Sequence, residues 1–136
     1  MTSFLDEKFN NEDISKLILR ISVGILMLFH GVSKLIGGVG FLEGMFDSMG
    51  LPSFFAYGVY LGEVIAPLML IVGYQVRIAS ILIAGTMVVA IYMVHLGDIF
   101  AITPHGAWAI ELQMFYILAS ATILFQGAGK YSVDKK

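Results

Sequence analysis

The chain contains no cysteine. That absence excludes disulfides, thiolate zinc sites, iron–sulfur clusters held by this chain's own thiolates, and dithiol redox chemistry within the chain. Charge is also scarce. Only 13% of residues are charged, eight Lys and Arg against ten Asp and Glu. No basic run or nucleic-acid motif occurs, so no nucleic-acid partner is expected. Residues 1–16, MTSFLDEKFNNEDISK, lack the basic start, short apolar core and small-residue cleavage site of a secretory signal. They read as a short cytoplasmic lead-in, with Asn11 or Asp13 placed to cap the helix that follows.

Apolar residues dominate what remains: 58% of the 136 residues are hydrophobic and the mean hydropathy is +0.87. A soluble domain of this size is far less apolar, and the length suits one domain. Four stretches are long enough to cross a bilayer, for which ~20 helical residues are needed. They fall at about 17–36, 54–73, 78–96 and 108–126. The expectation is an all-α integral membrane protein, an antiparallel four-helix bundle, with residues 127–136 as a polar, basic tail. Between the first two spans lies GGVGFLEGMFDSMGLP, in which Phe41, Leu42, Met45, Phe46 and Met49 recur at one-face spacing. That pattern predicts a short amphipathic interfacial helix in the first outer loop.

Of the eight basic residues, Lys8, Lys16, Arg20, Arg77, Lys130, Lys135 and Lys136 fall at one membrane face and Lys34 alone at the other. Seven against one is a positive-inside bias, which puts both termini in the cytoplasm. Arg20 near the inner end of the first span is expected to snorkel, and Trp108 fits an interfacial anchor.

The second span, YGVYLGEVIAPLMLIVG, carries one carboxylate, Glu63, near its middle, roughly 13 Å from its outer end. Tyr60 and Pro67 share its helical face. Proline has no N–H, so the Glu63 carbonyl loses its usual helical donor. An acid at membrane depth is costly and reads as a functional site by default. The alternative is a protonated Glu bonded to a neighbouring helix. Gly58 and Gly62 form a GxxxG pair that permits close helix contact. Helix direction then gathers His30 and Lys34 of the first span, Tyr60 and Glu63 of the second, His95 of the third and Glu111 of the fourth in the outer half. Lys34 beside Glu63 would form a buried ion pair, plausible only if well hydrogen-bonded. His30, Glu63, His95 and Glu111 carry metal-ligating atoms, but on separate helices with no spacing motif, so no metal is assigned. A proton relay or a quinone pocket needs the same kinds of group.

The run RISVGILMLFHGVSKLIGG, then Gly50-Leu51-Pro52, GEVIAPLMLIVG, Arg77, Glu111 and the tail GAGKYSVD together resemble the DoxX family of small bacterial membrane proteins, over about residues 14–134. The resemblance implies a four-helix, multi-pass protein of the bacterial inner (plasma) membrane. The family takes its name from a subunit of a thiosulfate:quinone oxidoreductase of sulfur-metabolising archaea, and some relatives are linked to membrane oxidoreductase complexes that handle thiols. The wider superfamily includes dithiol-dependent membrane enzymes, whose cysteines this chain lacks.

Three functions fit these residues. The first is a subunit or anchor of a membrane redox assembly, quinone- or thiol/sulfur-linked. It has lipid around it, a redox partner protein supplying electrons, and no redox centre or nucleophile evident in the chain itself. The second is a structural or anchoring protein, in which Lys34, Glu63 and Glu111 fix helix register and GxxxG serves packing or a homo-oligomer. The third is a small transporter component, weakened by the apolar inner half.

Overall fold

The computed structural model describes residues 2–135, which are helical and turn-linked with no β-strand among them. A short helix α1 (Thr2–Phe9) precedes α2 (Glu12–Gly37). Asn11 caps α2: its Oδ1 accepts the Ile14 N–H at 3.0 Å, satisfying a donor that a helix start leaves without an intrahelical partner. Asp13 is used elsewhere, accepting the Lys130 N–H at 3.1 Å. The helix stops at Gly38, whose φ of 80° suits glycine. The apolar run after it forms α3 (Gly40–Ser48), none of whose residues is fully buried.

The next helix, α4 (Ser53–Val72), is 20 residues long but not uniform. It begins as a 3₁₀ turn over Ser53–Gly58, widens into a π turn over Leu61–Ile65, and is α-helical from Ala66. Pro67 accounts for the widening. Its ring opposes the carbonyl four residues back, that of Glu63, and offers it no N–H. The Ala66 N–H instead reaches the Leu61 carbonyl, five residues back. Helix α5 (Val76–Val94) follows a turn held by Gly73 and by Gln75, both left-handed, and α6 (Glu111–Gln126) closes the helical set. Helices α2, α4 and α5 are each long and apolar enough to cross a membrane. The stretch expected to be helical from Trp108 is helical only from Glu111, leaving 16 residues. The residues before it are committed to the loop: Ile102 bridges Trp108, and the indole N–H donates to the Ile99 carbonyl at 2.6 Å.

Neighbouring long helices run antiparallel. Along α2, residues Arg20, Gly24, Met27, Gly31 and Lys34 recur at helical spacing and meet α4 in reverse order. Arg20 bonds Leu70, Gly24 lies under Ile71 and Pro67, and Lys34 pairs with Glu63. Gly62 permits α4 to approach α5, because a Cβ there would collide with the Thr86 side chain. The other half of the GxxxG pair, Gly58, has open space where its Cβ would be. The interior, with Met27, Ala66, Leu70, Ala79, Ile83 and Ile123 at 0–1% exposure, is built of aliphatic and small residues. Phe29, Phe115 and Phe125 face outward, as lipid contact allows.

Arg20 does not snorkel. It is 1% exposed, and its guanidinium donates to the carbonyls of Leu70 (2.6 Å), Ala128 (2.6 Å) and Tyr131 (2.8 Å). The cation thus sits at the C-terminal end of α4, where the helix dipole favours positive charge. It also fastens the tail. Val133 and Asp134 donate backbone N–H groups to Val72 and Gly73, and the Asp134 carboxylate accepts the Gln75 N–H at 2.6 Å. The segment read as a polar, basic tail is docked against the α4–α5 turn.

Candidate functional site

At the opposite end from Arg20, Lys34 and Glu63 form an ion pair, Nζ to Oε1 at 2.8 Å. The Glu63 side chain is 4% exposed and that of Lys34 31%. The geometry follows from two backbone features. The π turn shifts the register at Glu63 and turns its side chain toward α2. Gly31, one turn before Lys34, lets α2 come down onto the Glu63 carbonyl, and a Cβ at residue 31 would collide with that carbonyl. Tyr60, one turn earlier on α4, donates its hydroxyl to the Lys34 carbonyl at 3.1 Å. This fixes the last turn of α2 and the direction of the lysine.

The pair stands in the wall of a cavity of about 830 Å³. Helices α4 and α5 form its sides from Phe55 to Glu63 and from Ile81 to Val94, and Phe41, Leu42 and Phe46 of α3 close it above. Its walls are mainly apolar. The polar groups among them are Lys34, Glu63, His30, Thr86, His95, Gln113 and Tyr116. His30 meets the Tyr116 ring edge-on, centroids 6.1 Å apart. His95 lines the far end and shares its Nδ1 with the Asp98 carboxylate at 3.1 Å.

Of the residues singled out from sequence, His30, Lys34, Glu63 and His95 line this cavity. Tyr60 acts behind it through the Lys34 carbonyl. Glu111 is exposed at the start of α6 and is not among the lining residues. No group of three or more metal-ligating side chains converges among the described residues, so His30, Glu63, His95 and Glu111 do not make one metal site here. Three polar lining residues were not among the site candidates from sequence: Thr86, Tyr116 and Gln113, the last read as pointing elsewhere than Glu111. Gln113 and Tyr116 lie three apart on α6 and so share a face. Gln113 Oε1 is buried with no hydrogen-bond partner among the described residues.

Chemically, the site offers an ammonium hydrogen-bonded to a carboxylate, an imidazole, a phenol and an amide, with a second imidazole at the far end, in the walls of an otherwise apolar chamber. Such a chamber accepts an apolar molecule with a small polar head.

Apolar lipid-length helices around an internal ion pair define a helical membrane protein with a mainly apolar chamber. The DoxX family model matches residues 15–96, more than half of the chain, and the protein belongs to that family. The match covers Lys34, Glu63 and His95 and stops before α6. A protein of Bacillus subtilis (strain 168) named "Putative oxidoreductase CatD" is 39% identical over 84 residues. That similarity covers 62% of this chain and 62% of the relative, less than two thirds of its length. No solved structure matches the chain.

Proposed function

We propose that this protein is the quinone-facing subunit of a membrane redox assembly in the bacterial inner membrane. In this reading α2, α4, α5 and α6 all span the bilayer and both termini are cytoplasmic. The observation that carries it is the Lys34–Glu63 pair set in the wall of an apolar chamber. A quinone fits what is there: a flat apolar ring in an apolar chamber, with its oxygens against a patch of donors. Bound, it supplies two-electron, two-proton redox chemistry. The chain's residues bind and orient it and handle protons. Lys34 Nζ donates to one oxygen while staying bonded to Glu63, which holds the ammonium in place. Glu63 takes or returns a proton at Oε1, its carboxylate stabilised by the lysine beside it. His30 and Tyr116, edge to face, offer a second donor and an apolar ring to stack on. The apolar walls keep bulk water from the oxygens. Electrons come from a partner protein, in keeping with the redox name of the Bacillus relative and with a chain that has no cysteine.

A second reading rests on one observation: the ion pair is complete within the chain, as a purely structural, register-fixing pair would be. Infrared difference spectra of reconstituted protein with 2-methyl-1,4-naphthoquinone (menadione) separate the two. The quinone reading expects the carbonyl stretch of the bound ring to be displaced to lower frequency, and the displacement to vanish in Lys34→Met. A stretch identical to that of menadione in protein-free bilayers would refute it in favour of the structural role.

A further inference from the structure

Among the described residues, nothing packs against Gly85 in a way that needs a glycine. It lies in the middle of α5, where glycine weakens a helix relative to alanine. A Cβ added there would meet nothing within 4 Å. Gly62, Gly31 and Gly24 differ, since each is pressed against a neighbouring helix. Gly85 lines the cavity and is exposed. Ile81 and Val89, one turn to either side, also line the cavity and are 56% and 49% exposed. Across the gap Leu61 of α4 does the same at 48%. The chamber wall between α4 and α5 is therefore an outward-opening slot, with Gly85 at its floor. Its depth is that of the ion pair, because Thr86, next to Gly85, touches Gly62, next to Glu63.

We infer that the molecule held in this chamber is an amphiphile whose apolar chain passes over Gly85 through the slot into the hydrocarbon, and that Gly85 selects for that chain. This rests on the reading of the Lys34–Glu63 patch as a head-group site and adds the route and the ligand class: an isoprenoid-tailed quinone taken laterally from the membrane. A small water-soluble ligand would gain nothing from a lipid-side slot at the depth of the polar groups. The missing side chain supplies the width that a methyl-branched chain requires.

The test compares two probes with the same naphthoquinone head, menaquinone-4 with four isoprenoid units and menadione with none, binding to protein in phospholipid nanodiscs. Wild-type protein is expected to hold menaquinone-4 at least tenfold more tightly than menadione, after correction for partition into protein-free discs. Gly85→Leu should lose at least tenfold for menaquinone-4 and stay within twofold for menadione, with no fall in its thermal unfolding midpoint. Gly85→Ala should lie between. An unchanged menaquinone-4 affinity in Gly85→Leu, or equal weakening of both probes, would overturn the inference. So would a wild type that prefers neither probe, which would leave the head-group site standing. Unfolding of Gly85→Ala would overturn it by showing that the glycine serves packing. Binding of neither probe by wild type would remove the head-group site and the slot's role together.

Discussion

Removing either member of the Lys34–Glu63 pair should have unequal effects, because the two side chains are unequally buried. At about 4 Å and an effective dielectric of ~20, unit charges attract by about 4 kcal/mol. Lys34 keeps 31% of its side-chain surface exposed, so screening reduces this to about 2 kcal/mol. In Lys34→Met the carboxylate stays behind with 4% exposure, and an unpaired buried charge costs about 3–5 kcal/mol. In Glu63→Gln the amide can still accept from Nζ and the lysine can extend toward water or head groups, so the loss should be about 1 kcal/mol. Lys34→Met/Glu63→Gln removes the stranded charge and should fall close to Glu63→Gln alone, a coupling of about 3–5 kcal/mol. The assay is reversible unfolding in mixed micelles of mild detergent and SDS for the four proteins. Equal losses for the single variants, or additive losses in the double, would refute the argument that Glu63 is held as a desolvated carboxylate by Lys34.

Three more outcomes follow from the same contacts. Gly31→Ala should destabilise by about 1–3 kcal/mol or more, since its methyl meets the Glu63 backbone carbonyl, while Gly85→Ala in the same unfolding assay should be neutral or stabilising. Arg20→Met should lose about 3 kcal/mol of charge-assisted bonding and release the tail, which limited trypsin digestion would report as rapid cleavage at Lys130 in the variant only. Pro67→Ala restores an N–H opposite the Glu63 carbonyl and lets α4 return to α-helical register. It should keep helicity by circular dichroism yet weaken menadione binding at least fivefold.

Much of the helical scaffold was legible because helix periodicity is local. Arg20, Gly24, Met27, Gly31 and Lys34 follow the period of a single buried face, and an acid followed by proline four residues later marks Glu63 from the chain alone. What the sequence could not show depends on partners distant along it. Arg20 reads as an interfacial cation until the carbonyls of Leu70, Ala128 and Tyr131 are brought to it. The tail reads as solvated until its backbone pairs with Val72 and Gly73. Glu111 carries a charge and attracts attention, whereas Gln113 and Tyr116, three apart on one face, reach the chamber. The π turn was the hardest to foresee. Proline signals a disrupted ladder, but whether the helix kinks or widens depends on what packs against it, here Gly31 over the freed carbonyl.

Native mass spectrometry of protein purified in mild detergent shows whether the Lys34–Glu63 chamber holds a quinone. One quinone per wild-type chain is expected, and none in Glu63→Gln, which loses only about 1 kcal/mol of stability. Wild-type protein carrying only phospholipid, or quinone at the same occupancy in both proteins, would contradict it.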